Sequence, residues 1–171
     1  MRLWAFSSEY NDRMTENPVE KQRPNGSILI IDDQPTNLQM LGTVLRHTNY
    51  EIVFASSGKA GLKKIFDDQP DLILLDIRMP EMDGWQVIDE IKSNRVTKDI
   101  PVIFLSGMTE DDDVNRCFEK GAVDYIAKPF KMVELLARVN THFSLKRAND
   151  QIVELKEKLR QYTDSEGIHK V

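Results

Sequence analysis

The sequence predicts an α/β fold in which a doubly wound, five-stranded parallel sheet carries helices on both faces and an extended helix at its C-terminal end. Short apolar runs recur along the chain without the alternation of a half-solvated strand, which is typical of strands buried on both faces. Each run is followed by a segment with apolar residues at helical spacing, and the connections are short. Several runs end in a polar side chain, at the edge where open α/β sheets bind their ligands.

Composition limits the classes of function. The 171 residues are 40% apolar and 30% charged, which supports one domain of about 120 residues plus appendages. A net charge of -5 and an isoelectric point near 5.3 give no sign of a basic patch, so we expect no direct contact with nucleic acid. The lone Cys117 excludes an intrachain disulfide and is interpreted as an inert thiol in a reducing compartment. No apolar run approaches the roughly 20 residues of a membrane span, so we expect a cytoplasmic protein.

The chain opens with a polar stretch. Residues 1–25 include two prolines and show no sustained period, which predicts a flexible leader. The run Ile28–Ile31 then predicts a first strand, and this strand leads directly into Asp32 and Asp33. The first strand therefore ends in two acids.

Two helices and a second strand come next. Pro35 suits the first turn of a helix that reaches about His47, and Glu51–Ala55 predicts the second strand. Gly58–Asp68 predicts the second helix. Its opening Gly-Lys pair could suggest a phosphate-binding loop, but the upstream glycine and the following Ser or Thr of such a loop are missing. The residues predicted to face the core are Leu38, Leu41, Val44 and Leu45 in the first helix and Ala60, Leu62, Ile65 and Phe66 in the second.

The third strand is the centre of the pattern. Leu72–Leu75 is continuously apolar and ends at Asp76, and Pro80 prevents any continuation of the strand because it supplies no ladder donor. The Asp83-Gly84 pair turns the chain into a third helix. This helix is predicted to reach about Ser93 and to bury Val87, Ile88 and Ile91.

The remaining segments complete the alternation of strands and helices. Val102–Leu105 predicts a fourth strand that delivers Ser106 at its end, residues 110–120 predict a fourth helix closed by Gly121, and Val123–Ala127 predicts the fifth strand. The final helix begins near Lys131 and is predicted to cover the sheet with Val133, Leu136 and Val139. The three histidines show no paired ligand spacing and are predicted to lie on the surface; they are His47, His142 and His169.

Polar strand ends are expected to meet at one edge of the sheet. In the order 2-1-3-4-5 the switch point lies between the first and third strands, so Asp32, Asp33 and Asp76 converge. Carboxylates 4 Å apart repel by about 4 kcal/mol per pair at an effective dielectric of 20. They either stay partly protonated or bind a cation, and hard oxygen ligands favour Mg²⁺. Ser106 and Lys128 face the same edge and offer donors to an anion. This set of groups serves phosphoryl transfer.

Several separated motifs resemble those of two-component response-regulator receiver domains, the CheY-like superfamily: IIDD, LLDIRMPEMDG, FLSG and DYIAKPF. The resemblance covers about residues 27–144. It implies that Asp76 accepts a phosphoryl group from a histidine of a sensor histidine kinase or of a histidine phosphotransfer protein. It also implies that Asp33, Asp76 and the backbone carbonyl of Arg78 bind Mg²⁺ directly, with Asp32 acting through water.

The same resemblance assigns the donors and the switch. Ser106 and Lys128 are expected to contact the phosphoryl oxygens, and Ser106 and Tyr125 to form the switch that changes the surface of the domain. The bond between Lys128 and Pro129 is expected to be cis.

Two side chains near the site are expected to tune dephosphorylation. Arg78 and Met108 lie two residues after Asp76 and Ser106, where the family tunes dephosphorylation, and we expect their bulk to slow hydrolysis.

Two rival functions are alternatives to the receiver. A phosphohydrolase of the haloacid-dehalogenase type also uses an aspartyl nucleophile and Mg²⁺, but its strand ends in a DxD motif, and here Arg78 occupies the place of the second acid. A pseudo-receiver that acts only as a binding scaffold is disfavoured because every expected acceptor, metal and contact residue is present.

The C-terminal helix is predicted to run unbroken past the domain, because residues 131–162 contain no Gly or Pro. Apolar residues recur there at heptad spacing, which predicts a parallel two-stranded coiled coil and hence a homodimer. Fewer than three heptads also permit the alternative that this helix folds back on its own domain. The positions a and d of the heptads are Leu145, Ala148, Ile152, Leu155, Leu159 and Tyr162.

The predicted organisation is a leader over residues 1–25, a receiver domain over 26–144, a helical coiled-coil extension over 145–163 and a tail over 164–171. No DNA-binding or catalytic output domain follows the helix within this sequence, so we expect no output enzyme in this chain. Two forms of output are expected: a stand-alone regulator, or a fragment of a longer protein whose effector is a domain such as a cyclase, phosphodiesterase or phosphatase.

Overall fold

The computed structural model describes residues 24–107 and 111–166, and for 111–113 and 164–166 only the backbone. Its strands are β1 (Ser27–Ile31), β2 (Glu51–Ala55), β3 (Leu72–Asp76), β4 (Val102–Ser106) and β5 (Asp124–Ala127). Its helices are α1 (Pro35–Leu45), α2 (Gly58–Asp68), α3 (Gly84–Ser93), α4 (Asp111–Glu119) and α5 (Met132–Glu166). Residues 1–23 of the predicted leader, Met108, and residues 167–171 of the predicted tail, which include His169, lie outside the described residues. Helix α5 continues to Glu166, three residues past the predicted end of the extension at 163.

The five strands form one parallel sheet in the order β2-β1-β3-β4-β5. Ile31 pairs with Leu75, and Asp76 pairs with Leu105. The register therefore brings the C-terminal ends of β1, β3 and β4 to the same edge of the sheet. The predicted fold class and strand order are confirmed.

Helices cover both faces of the sheet. Helices α1 and α5 pack on one face, and α2, α3 and α4 pack on the other. Every residue of β3 is buried, as a central parallel strand requires. The side chains that fill the first face from the helices are Leu41, Leu45, Leu135, Val139 and Phe143. Those that fill the second face include Ile65, Val87, Ile88, Ile91 and Cys117.

Three predictions about individual side chains are wrong. Phe66 is 42% exposed and Val133 is 78% exposed, so neither covers the sheet. In α5, Leu135, Val139 and Phe143 are buried and Leu136 is half-buried against the same cluster, so Leu136 and Val139 cover the sheet as predicted. His142 is only 12% exposed at its side chain instead of lying on the surface. A shift of one residue turns a helix face by about 100°, so periodicity alone did not fix the orientation of α5.

Helix α5 is unbroken over 35 residues, as the sequence predicts. Its second half leaves the domain: five of the six predicted a and d side chains, all except the small Ala148, are between 48% and 72% exposed. The alternative in which this segment folds back on its own domain is therefore wrong. No helix in the described ranges is both long enough and apolar enough to cross a bilayer.

The point where α5 leaves the domain is held by polar contacts. Lys146 Nζ lies 3.2 Å from Asp71 Oδ1, and Asp71 Oδ2 accepts the backbone N–H of Ser27 at 2.9 Å. The guanidinium of Arg147 donates to the carbonyl of Asn25 at 2.6 Å. The direction of the extension is thereby tied to the start of β1 and to the residue before β3.

Candidate functional site

The site begins where β3 leaves the sheet at Asp76. The following loop folds back, and the N–H of Gly84 donates to the carbonyl of Ile77 at 2.8 Å. A Cβ at position 84 would collide with the carbonyl oxygen of Asp76, so this close approach requires glycine. Asp83 and Gln86 cap each other's backbone at the start of α3. The loop is therefore fixed, and Asp76 is left facing the edge of the sheet.

Three carboxylates converge at this edge, as predicted. One oxygen from each of Asp32, Asp33 and Asp76 lies within 4.8 Å of the others. Asp32 is fully buried and Asp76 is 5% exposed. Asp33 is half-buried, and its Oδ1 is a buried oxygen for which the described residues provide no hydrogen-bond partner. The three acids thus stand in different environments although they share one site.

Lys128 lies between two of the acids. Its Nζ donates to Asp76 Oδ1 at 2.8 Å and to Asp32 Oδ2 at 2.9 Å. Its backbone N–H donates to the carbonyl of Ser106 at 2.6 Å, and its bond to Pro129 is cis, as predicted. One ammonium therefore partly balances two of the three negative charges.

The protonation of the site follows from burial and charge. Burial raises the pKa of Asp76 above its ordinary value; the bond to Lys128 opposes this shift, and the charges of Asp32 and Asp33 add to it. Burial works to lower the pKa of Lys128, but the bonds to Asp32 and Asp76 outweigh it and raise that pKa. Lys128 therefore remains a cation at neutral pH.

Asp32 has further donors that the sequence analysis did not identify. The side-chain amide of Asn37 donates to Asp32 Oδ1 at 3.0 Å and to Oδ2 at 2.9 Å. The N–H of Gln34 donates to Oδ1 at 2.9 Å. Asn37 lies in the first turn of α1, five residues after Asp32. A polar side chain at that spacing from Asp32 was the available signal in the sequence.

Ser106 and Tyr125 lie where the sequence places them. Ser106 is the last residue of β4 and is 1% exposed, and Tyr125 in β5 is half-buried against the apolar cluster that contains Phe104. Arg78 is exposed, and it lines a cleft of about 480 Å³ together with Asp33. The tuning role of Arg78 stays a prediction, and Met108 lies outside the described residues.

The donor set fits a hard divalent cation. Carboxylate oxygens and a backbone carbonyl are the ligands that Mg²⁺ takes, and it commonly uses one or two carboxylates together with substrate phosphate. The unpartnered Oδ1 of Asp33 beside two other carboxylates is the observation that supports this fit. Asp33 and Asp76 are the side chains that would hold the ion, with the carbonyl of Arg78 expected from the resemblance.

His142 belongs to a separate cluster. Its Nε2 lies 2.9 Å from Asp124 Oδ2, and Arg138 donates to Asp124 Oδ1 at 2.6 Å. Burial alone would raise the pKa of Asp124, but the bonds from His142 and Arg138 and from the N–H of Tyr125 lower it overall. This cluster ties β5 to α5 and takes no part in the acid site.

Comparison with known proteins places the chain among signalling proteins. The model of the response regulator receiver domain matches residues 28–140. A Vibrio cholerae protein named "Probable cyclic di-GMP phosphodiesterase" is 46% identical over 124 residues, which are 72% of this chain and 28% of that protein. The "DNA-binding dual master transcriptional regulator RpaA" of Synechocystis is 38% identical over 125 residues, which are 73% of this chain and 51% of that protein. The chain thus matches about a quarter to a half of these relatives.

Solved structures agree with the match. The receiver domain of the sensor histidine kinase PA1611 from Pseudomonas aeruginosa superposes with a TM-score of 0.65 at 28% identity, over 70% of this chain and 98% of that one. That structure holds a magnesium ion coordinated in its active-site cleft.

Proposed function

Because this chain belongs to the response regulator receiver domain family and is a receiver module of a two-component phosphorelay, we propose that Asp76 accepts its phosphoryl group. The donor is a phosphorylated histidine of a sensor histidine kinase or of a histidine phosphotransfer protein. The observation that carries this proposal is the position of Asp76. Its carboxylate ends the central strand, is bonded to Lys128, and lies in one cluster with two other acids.

The chemistry requires a carboxylate nucleophile that is accessible and still ionised. An oxygen of Asp76 forms a bond to phosphorus while the bond from phosphorus to the donor's imidazole nitrogen breaks. The electron pair leaves with the imidazole, which takes up a proton. Lys128 opposes the protonation of Asp76, and it is placed to stabilise the added negative charge once the phosphoryl group arrives. Ser106, at the end of the neighbouring strand, supplies a hydroxyl donor to that group.

The acid cluster needs positive charge before a phosphoryl dianion can approach. Bound Mg²⁺ supplies that charge and orients phosphoryl oxygens in reactions of this class. Asp33 and Asp76, with the carbonyl of Arg78, would hold it. The haloacid-dehalogenase alternative is not favoured by the family match, and neither is a pseudo-receiver, since the acceptor and its contact residues are all present.

The proposal is tested with a small phosphodonor. Incubation with acetyl phosphate and Mg²⁺ should add one phosphoryl group to the intact protein, measured by mass spectrometry. Chelation of the metal should prevent the addition. Undiminished phosphorylation in the presence of the chelator would contradict the metal dependence, and no phosphorylation under any condition would contradict the acceptor role.

Phosphorylation is proposed to change one surface of the domain. Ser106 moves toward the phosphoryl group, Tyr125 turns inward, and the surface formed by α4, β5 and α5 is altered. The support is local. Ser106 ends β4, Tyr125 lies in the adjacent strand β5, and the N–H of Lys128 donates to the carbonyl of Ser106. Movement of Ser106 would therefore act on Lys128 through this bond and on β5 through the pairing of the two strands.

The helical extension is proposed to form a parallel two-stranded coiled coil with a second copy. Its heptad stripe is solvent-exposed, although such large apolar side chains are stable when buried against a partner. Ile152 at an a position and Leu155 at a d position favour two parallel strands. Two receivers would then stand side by side, and phosphorylation would alter the register or angle of the helices that follow.

The output is the activity that this receiver controls when it is phosphorylated. The receiver domain is itself a signalling domain, and we propose that the catalysis of this chain is limited to its own phosphorylation and dephosphorylation. The names of its relatives describe a phosphodiesterase in one case and a DNA-binding regulator in the other. With its net charge of -5 we propose that this chain acts through proteins in the cytoplasm and does not itself contact nucleic acid.

A further inference from the structure

The two adjacent acids at the end of β1 differ in how many of their acceptor sites are used. A carboxylate has about four lone-pair sites. Asp32 receives four hydrogen bonds: Oδ1 accepts from Gln34 and Asn37, and Oδ2 accepts from Asn37 and Lys128. Asp33 has a buried Oδ1 with no partner among the described residues. Asp32 is therefore saturated and Asp33 is not.

The three groups that donate to Asp32 are not equivalent. Lys128 is shared with Asp76, and the proposed function requires it to turn toward an incoming phosphoryl group. The N–H of Gln34 is backbone, fixed by the turn into α1. Asn37 is the one side chain that contacts both oxygens of Asp32 at once, at 3.0 and 2.9 Å. Its amide thus determines which way the carboxylate faces.

The position of Asn37 is itself set by the helix. The N–H of Asn37 donates to the carbonyl of Gln34 at 3.0 Å, within the first turn that Pro35 opens. This turn places the amide directly beside the end of β1. The arrangement does not depend on a long or flexible side chain.

We propose that Asn37 is a positioning residue that keeps Asp32 from binding the metal ion directly and leaves direct coordination to Asp33 and Asp76. This inference rests on the proposed function, because it concerns the same metal site. The amide nitrogen of Asn37, which is held against both oxygens of Asp32, must be displaced before either oxygen can join the ion. Removing the amide frees Asp32 as a third carboxylate ligand. Metal affinity rises with the number of charged ligands.

The proposal makes an unusual prediction, namely that loss of a polar contact tightens metal binding. In Asn37→Leu the side chain keeps nearly the same shape, excludes water and loses both N–H donors. The Kd for Mg²⁺, measured by isothermal titration calorimetry without any phosphodonor, should fall by roughly three- to ten-fold, since hydrogen bonds to a charged group no longer compete with the ion. Asn37→Ala should shift the Kd in the same direction, by less, because water can replace the amide. The matched control is Gln39→Ala on the exposed side of the same helix, which should bind as the unaltered protein does.

The Mg²⁺ affinities of the two variants distinguish the proposed positioning role of Asn37 from a structural one. A merely structural role for Asn37 predicts weaker binding together with a lower melting temperature, and either weaker or unchanged binding in both variants would overturn the proposal. If Asn37→Leu does not fold, Asn37→Ala decides alone. If neither the unaltered protein nor the variants give binding heat with Mg²⁺, the metal site of the proposed function fails and the role of Asn37 fails with it. Binding by the unaltered protein without tightening in the variants overturns the role of Asn37 alone.

Discussion

Asp33 is the residue at which stability and function conflict most directly. Its Oδ1 is buried without a partner among the described residues, next to two other carboxylates. A buried unsatisfied acceptor costs about 1–3 kcal/mol, and more when it is charged. Such a cost is expected at a site that is completed by a cation, and removal of the charge should release it.

Asp33→Asn should therefore stabilise the protein while weakening its binding of Mg²⁺. We expect the free energy of unfolding, measured by urea denaturation in the presence of a chelator, to rise by about 1 kcal/mol or more, because repulsion and the unsatisfied acceptor are both removed. Glu90→Gln, which neutralises an exposed acid on α3, should change stability by less than about 0.5 kcal/mol. A destabilised Asp33→Asn protein with normal Mg²⁺ affinity would show that Asp33 is an ordinary structural residue.

Asp124 gives the pH dependence of stability a definite sign. Its pKa in the folded protein is lowered because the bonds from His142, Arg138 and the N–H of Tyr125 outweigh burial. A group with a depressed folded pKa contributes stability above its unfolded pKa, about 3.9, and loses that contribution as pH falls through the folded value.

Asp124→Asn should thus be destabilised at pH 7, and the difference from the unaltered protein should shrink below about pH 4. Hydrogen bonds to charged groups suggest a loss of about 1.5–3 kcal/mol at neutral pH. The measurement is urea unfolding at pH 7, 5 and 3.5, with the exposed Asp150→Asn as the control. A difference that stays constant over this range would mean that Asp124 does not act through its charge.

At the scale of elements, the sequence predicted the strands better than the helix faces. The five strand boundaries agree within about one residue because a buried parallel strand is a continuous apolar run that ends abruptly at Asp76, Ser106 or a similar polar residue. Helix faces were predicted less well, since the exposed Val133 fits an apolar stripe as well as the buried Leu135 does. The acid cluster followed from topology. Asn37 and the pairing of His142 with Asp124 did not, because such contacts depend on side-chain directions that spacing alone does not give.

Helices α3 and α4 are joined by two contacts that can report the proposed switch. The guanidinium of Arg116 lies 4.4 Å from the centroid of the Trp85 ring, and Lys120 forms an ion pair with Asp89 at 2.6 Å. Trp85 also packs on Phe104 of β4, with ring centroids 5.0 Å apart. A displacement of α4 would therefore change the surroundings of the Trp85 indole.

Ser106→Ala should accept the phosphoryl group yet lose most of the change in Trp85 fluorescence. A hydrogen bond to a charged group contributes about 1.5–3 kcal/mol, whereas a shift from 1:99 to 99:1 needs about 5.5 kcal/mol. Ser106 alone therefore cannot complete such a shift, and we expect Lys128 or a partner to supply the rest. Fluorescence is recorded in a Trp4→Phe background before and after acetyl phosphate. A full response in Ser106→Ala would contradict the switch.

At the scale of the whole molecule, the proposed coiled coil makes the C-terminal helix the element through which two receivers would communicate. Leu155 lies on the heptad stripe and Val153 lies off it, although both are exposed, at 64% and 59%. Leu155→Glu should therefore abolish the dimer, because each buried Leu contributes about 1.5–3 kcal/mol, while Val153→Glu should leave it intact.

Sedimentation at tens of micromolar measures this difference. The unaltered chain and Val153→Glu should have twice the monomer mass of 19.7 kDa, and Leu155→Glu and a chain ending at Ser144 should be monomeric. Monomers in all four samples, with and without phosphorylation, would rule out the coiled coil.

The central claim is that Asp76 is the phosphoacceptor, and a chemical map of the modified residue tests it most directly. The protein is phosphorylated with acetyl phosphate and Mg²⁺, reduced with borohydride to convert an acyl phosphate into homoserine, and digested for peptide mass spectrometry. We predict homoserine at position 76 and no phosphoryl incorporation in Asp76→Asn, while the exposed-site control Asp99→Asn is modified normally. Homoserine at another aspartate, or equal phosphorylation of Asp76→Asn, would contradict the account.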